Sequence, residues 1–175
     1  IAISVPMSVD RAPAQAAYDK GAADIAAALE AGQNVVCLCE GDPFFYGSFM
    51  YLFARLSGRY EVEVVPGVTS VTACAARAGR PLVARNERLP VLPGPLPEDE
   101  LRARIAAADS VVIMKVGRHL AKLRVVIADL GLTAHATYVE RATLPDEKVL
   151  PLADAPAEAP YFSMILITKG ADPWL

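Results

Sequence analysis

At 175 residues the chain has room for one large domain or two small ones. A composition that is 54% hydrophobic and 21% charged excludes a disordered chain, and no apolar run reaches the ~20 residues of a membrane helix. The net charge of -3 argues against a broad nucleic-acid surface but leaves room for a local basic patch facing an acidic small molecule.

Residues 18–31 (YDKGAADIAAALEA) place Ala22, Ile25, Ala26 and Leu29 at helical spacing, and Gly32 stops the helix. The run VVCLC (35–39) then reads as a strand buried on both faces, as in parallel sheets, ended by Glu40-Gly41-Asp42-Pro43. Residues 49–56 read as a helix, and 60–65 (YEVEVV) as a second strand closed by Pro66-Gly67. Residues 69–78 (TSVTACAARA) form a further predicted helix, closed by Gly79. With three prolines and a glycine in seven residues, VLPGPLP (91–97) is the predicted linker between a domain at 1–90 and another at 98–175. Beyond it come a charged helix at 98–108, a buried strand at 109–116 and a helix at 120–130 stopped by Gly131. Strands at 136–140 and 161–168 complete the chain. The alternation of helices and strands predicts an α/β fold in two lobes.

Cys37, Cys39 and Cys74 are too few, and odd in number, for a disulfide framework. They read as reduced thiols packed in the core. The opening IAISVPMSVD has neither a basic start nor a long apolar stretch, so no secretory signal is recognised and a cytoplasmic location is expected. There is no P-loop, no G-x-G-x-x-G and no CxxC, HExxH or GxSxG, so phosphate-loop, zinc-hydrolase and serine-esterase chemistry lack support.

Chemistry concentrates at strand ends. The segment Glu40-Gly41-Asp42-Pro43-Phe44-Phe45-Tyr46-Gly47 follows the first predicted strand, on the edge where open α/β sheets bind ligands. Gly41 lets backbone approach a ligand, and Asp42 either accepts from a ligand hydroxyl or caps the next helix. Pro66-Gly67-Val68-Thr69-Ser70 follows the second strand, where Thr69 and Ser70 either cap a helix or face the same ligand. Lys115-Val116-Gly117-Arg118-His119 reads as a solvated turn or as a carboxylate-binding patch. Glu140 and Arg141 read as a surface pair or as part of a further strand-end site.

Taken together, VVCLCEGDPFFYGSFMYL, EVEVVPGVTS, RPLVARNERLPVLPG, VVIMKVGRHLAKLRVVIADLGL, YVERAT and APYFSMILIT resemble the tetrapyrrole methylase family across almost the whole chain. This family methylates cobalamin and siroheme precursors with S-adenosylmethionine. The CEGDPFFYGSFMYL, IMKVGRH, YVERAT and PYFSMI segments are similar to the branch that methylates carbon 20 of precorrin-2. The resemblance implies two α/β domains with a cleft between them, a homodimer, S-adenosylmethionine as methyl donor and a tetrapyrrole as substrate. It implies cofactor contacts at Glu40, Gly41, Asp42, Phe45, Thr69, Ser70, Val116 and Ala142, with no metal ligand. Arg85, Lys115, Arg118 and Arg141 are the candidate partners of the substrate carboxylates, and no catalytic base is assigned. Asp42, Tyr46 and His119 are base candidates by location only. The family's glycine-rich opening motif (G-x-G-P-G-D-P) has no counterpart here, so part of the N-terminal domain, including its first strand, is expected to lie outside these residues. The alternatives are a methylase of cobalt-factor II or of another ring carbon, and a fragment that binds ligand without turnover.

Overall fold

The computed structural model of the chain describes residues 3–6 and 10–170. They divide into two compact units, residues 1–69 and 70–175.

The first unit is built on two helices. Helix α1 (Ala12–Glu30) begins six residues before its predicted start, with Pro13 in its first turn. Proline is pre-shaped for that position, because its missing N–H would have no helical partner there. Helix α2 (Phe49–Leu56) has the predicted bounds. Tyr18, Ala22 and Ile25 of α1 pack against Leu52 and Leu56 of α2, with Val35, Cys37 and Tyr60 alongside. Tyr18 and Tyr51 stack at 4.8 Å, and Arg55 donates to Asp19 at 2.7 Å and to Gln15 at 2.8 Å.

Neither predicted strand of this unit forms a ladder among the described residues. Residues 35–38 and 60–65 do keep a two-residue alternation, with Val35, Cys37, Val62 and Val64 turned toward cover. The opposite face is bare, with Val36 81% and Leu38 94% exposed. The expectation of a strand buried on both faces is therefore corrected to one covered face. A β-rich sequence supplies the pleat, but pairing needs a neighbouring backbone. Cys39 is likewise exposed rather than packed in the core, whereas Cys74 is buried and Cys37 half-buried.

The second unit opens with helix α3 (Ser70–Ala78). Strand β1 (Val91–Pro93), helix α4 (Glu98–Ala107), strand β2 (Ser110–Met114) and helix α5 (Leu120–Asp129) follow. Strands β3 (Ala136–Glu140), β4 (Lys148–Pro151) and β5 (Ser163–Thr168) end the described fold. The first three residues of the predicted linker are thus a strand, paired in parallel with β2 from Val91–Val112 to Pro93–Met114. The backbone N–H that Pro93 lacks is tolerated because β1 stands at the sheet edge.

The five strands lie in the order β1-β2-β5-β3-β4, and every pairing except β1 with β2 is antiparallel. Val111, Val112, Ile113, Tyr138, Ile165, Leu166 and Ile167 are fully buried on the three central strands. Leu101 and Ile105 of α4 and Leu123, Val126 and Ile127 of α5 form one core with Val111, Ile113, Tyr138, Ile165 and Ile167. Since β2 and β3 both run antiparallel to β5, they are parallel to each other. Their C-terminal ends therefore emerge on one edge of the sheet, beside the start of β5. No helix among the described residues is long and apolar enough to cross a membrane.

Candidate functional site

In the first unit the two predicted ligand turns are fastened together. The Asp42 carboxylate accepts from Phe44 N–H at 2.9 Å through Oδ1 and from Gly67 N–H at 3.0 Å through Oδ2. These bonds, Gly67 first, hold its pKa below the ordinary carboxylate value, so Asp42 stays anionic. Asp42 thus ties turn to turn, which goes beyond either sequence reading and makes it a poor proton acceptor. The approach is close: a Cβ on Gly67 would lie 2.2 Å from the Gly41 carbonyl oxygen. Gly41 itself sits at φ 73°, a conformation that side chains disfavour. Glu40 is exposed, Phe45 half-buried, and Tyr46 exposed at φ 55° with its ring 5.2 Å from that of Phe45. Thr69 is half-buried at the end of this unit.

In the second unit, Ser70 is exposed on the first turn of α3. The common edge of β2 and β3 collects Lys115, Val116, Arg118, Arg141 and Ala142. The backbone there is unusual. Lys115 has φ 56°, Val116 has φ -62° and Gly117 has φ 34°. Alternation of this kind lets successive peptide N–H groups converge, as in anion-binding concavities. Val116 is fully buried, side chain and main chain alike. Arg118 is exposed, and its Nε–H donates to His119 Nε2 at 3.5 Å. Partial burial, then the Lys122 and Arg118 charges, lower the His119 pKa, so the imidazole is neutral near pH 7.

After β3, Arg141 takes φ 49° and Thr143 φ 70° on either side of Ala142. Glu140 does lie 3.9 Å from the Arg141 guanidinium, but not on the surface. It is buried, accepts from Tyr138 Oη–H at 2.8 Å and lies 3.2 Å from Lys148 Nζ. Burial and the Glu140 bond push the Tyr138 phenol up, so it remains a donor. The Arg141 guanidinium pairs with Asp146 and stays half-exposed. Arg85, at φ 49°, lies elsewhere. Its turn leads to Arg88, whose carbonyl accepts from Ser110 N–H at 3.3 Å at the start of β2. The chain thus enters from the opposite sheet edge, and Arg85 is not brought together with the other three cations. Sequence reasoning passed over Glu147 and Lys148 at the correct edge. The marker that could have found them is the charged run Asp146-Glu147-Lys148 directly after Leu144-Pro145.

The fold and these strand-end turns define a class. The sequence profile of the Tetrapyrrole (Corrin/Porphyrin) Methylases matches residues 2–156, and the chain belongs to that family. Among its relatives, a precorrin-2 C(20)-methyltransferase of Sinorhizobium is 48% identical over 156 residues, covering 89% of this chain and 64% of that protein. A cobalt-precorrin-2 C(20)-methyltransferase of Salmonella typhimurium is 36% identical over 167 residues, covering 94% of this chain and 70% of that one. Among solved structures, a uroporphyrin-III C-methyltransferase of Thermus thermophilus, complexed with S-adenosyl homocysteine, superposes with a TM-score of 0.62. It is 25% identical, and the match covers 86% of this chain and 73% of that one. The chain therefore spans less than two thirds of the Sinorhizobium relative's length.

Proposed function

We propose that the protein is an S-adenosylmethionine-dependent methyltransferase acting on carbon 20 of precorrin-2 in cobalamin biosynthesis. The observation that carries this reading is the edge shared by β2 and β3, where Lys115, Val116, Arg118, Arg141 and Ala142 assemble. The 48% identity to a precorrin-2 C(20)-methyltransferase supports the choice of substrate.

The donor set suits the cofactor. S-adenosylmethionine presents an adenine edge, ribose hydroxyls and an amino-acid end, all readable by peptide groups, and supplies an electrophilic methyl on a sulfonium. In the second unit, Ser70, Val116 and Ala142 are the assigned contacts; in the first, Glu40, Gly41, Asp42, Phe45 and Thr69. Asp42 acts by holding its turn to Gly67. Lys115, Arg118 and Arg141 face an octacarboxylate substrate, to which guanidinium forks are well matched.

The reaction is an in-line displacement. Carbon 20 forms the new C–C bond as the S–CH3 bond breaks, sulfur keeps the electron pair, and the carbon 20 proton leaves to water or a substrate carboxylate. What the protein contributes is near-attack placement of the two reactants. Asp42 is committed to two backbone donors, which supports a mechanism of positioning without a dedicated base.

The test is incubation of the full-length protein with precorrin-2 and methyl-13C S-adenosylmethionine, followed by carbon NMR of the product. One enriched methyl on carbon 20 is expected. Enrichment at another carbon, or none, refutes the assignment. A parallel reaction with cobalt-precorrin-2 tests a cobalt-containing substrate, which the 36% identity to the Salmonella enzyme favours less.

A further inference from the structure

The loop from Arg141 to Glu147 carries two non-glycine residues in the left-handed region, Arg141 and Thr143, flanking Ala142. Such a conformation persists only where surrounding bonds over-determine it. Arg141 N–H donates to the Phe162 carbonyl at 2.9 Å, Leu144 N–H to Arg141 O at 3.0 Å and Glu147 N–H to Leu144 O at 3.1 Å. The Glu147 side chain then folds back, and its Oε2 accepts from Thr143 N–H at 2.6 Å. The same carboxylate is gripped by Arg77 of α3, whose Nε–H donates at 2.9 Å and 2.8 Å and whose Nη2 lies 2.8 Å from Oε1. Only 14% of the Glu147 side chain is exposed, against 55% for Arg77. One carboxylate therefore closes the loop on itself and fastens it to the helix that begins at Ser70.

We propose that Glu147 is a positioning residue for the methyl donor, holding the Arg141-Ala142-Thr143 backbone in its ligand-receiving shape through Thr143 N–H and Arg77. This rests on the cofactor reading above, because Ala142 and Ser70 are the contacts it would set. The bonds to Arg77 and to Thr143 N–H keep the Glu147 pKa below the ordinary value, so the clamp is charged at neutral pH. Charge-assisted bonds are the stronger kind.

The experiment is calorimetry of S-adenosylhomocysteine with the full-length protein and three variants, Glu147→Ala, Glu147→Gln and Arg124→Ala, with thermal unfolding of each. Arg124 donates to the Ala153 and Ala155 carbonyls away from the loop and serves as a stability control. Glu147→Ala should weaken binding at least tenfold and raise the KM for S-adenosylmethionine, with kcat within threefold. Glu147→Gln keeps one acceptor for Thr143 N–H but loses the charged grip of Arg77, and should recover part of that affinity. Arg124→Ala should lower the unfolding temperature while binding stays within twofold. No binding by the unsubstituted protein overturns the cofactor reading and this role with it. Binding by the unsubstituted protein that Glu147→Ala leaves within twofold overturns the clamp alone. A loss that Gln does not reduce, or that Arg124→Ala matches, assigns Glu147 to folding only and also overturns it.

Discussion

Two mostly apolar five-residue runs meet opposite fates. In SVVIM (110–114) the residues Val111, Val112 and Ile113 are fully buried, whereas in VVCLC (35–39) Val36 is 81% and Leu38 94% exposed. Both runs are rich in β-formers, so propensity does not separate them. The difference is company. Strand β2 has β1 on one side and β5 on the other, with α4 and α5 contributing to the same core. The 35–39 segment has cover on one face only and no hydrogen-bonded neighbour among the described residues. A strand is a property of a pair of segments, and β-propensity is fit to a half-buried surface more than a backbone preference.

The largest test of this contrast is a pair of truncations followed by denaturant unfolding. Ile165→Ala in the buried β5 should cost ~2–5 kcal/mol, since it removes fully packed methylenes and leaves a cavity. Leu38→Ala should fall within ~0.5 kcal/mol of zero, as for other exposed positions. Equal losses would mean that Leu38 is covered in the working protein, and the contrast would break.

The next effect concerns the basic edge of the second unit. Arg118→Ala should raise the KM for the tetrapyrrole by roughly tenfold to a hundredfold, the range for losing a hydrogen bond to a charged group. Affinity for S-adenosylhomocysteine should not change. Equal losses for both ligands would place Arg118 elsewhere or signal misfolding. Lys115→Ala and Arg85→Ala sharpen the point, because Arg85 enters from the other sheet edge and its loss should leave KM near its starting value.

In the first unit the comparable test is steric. Gly67→Ala drives a methyl into the Gly41 carbonyl and should weaken S-adenosylhomocysteine binding at least tenfold in calorimetry. Gly58, where a Cβ would meet nothing within 4 Å, is the matched control and should bind normally as Ala. Parity of the two variants would remove the 41–67 contact from the site.

How much of this was legible beforehand depends on the range of the forces involved. Helix α2 and strand β3 have the predicted bounds, and α3, α4 and α5 differ from their predicted bounds by one residue each. Local spacing and stop residues settle such elements. Strand β1 was hidden inside a proline-rich run, and β4 (KVLP) is four residues long and ends in proline. Both are edge strands that exist because a longer neighbour offers a ladder. At the site, Gly41, Asp42, Lys115, Arg118 and Arg141 stand out as polar or glycine residues at strand ends. That Lys115 and Arg141 share an edge follows from β5 lying between their strands, which no local pattern encodes. The use of Asp42 as a tie to Gly67, 25 residues away, is equally non-local.

The smallest expected effect is in pH. Asp42 in the first unit, and Asp109 and Glu147 in the second, all have folded pKa values below their unfolded ones. For Asp42 the leading cause is Gly67 N–H, for Asp109 it is Arg88 N–H, and for Glu147 it is Arg77. Each therefore adds stability that is complete above the unfolded value of ~4 and disappears as pH falls through the lower folded value. Unfolding temperature should be flat from neutral pH down to about 5 and drop below about 4. Asp42→Asn should shallow that drop, and an unchanged acid limb would show that Asp42 is not held as described.

The most direct measurement is amide NMR of the full-length protein titrated with S-adenosylhomocysteine. The account predicts shifts at 41–42 and 67–70, and at 115–117 and 141–143 on the common end of β2 and β3, with 84–88 and 109–110 at the opposite edge unmoved. Shifts centred on 84–88 and 109–110, with 115–117 and 141–143 silent, would contradict it.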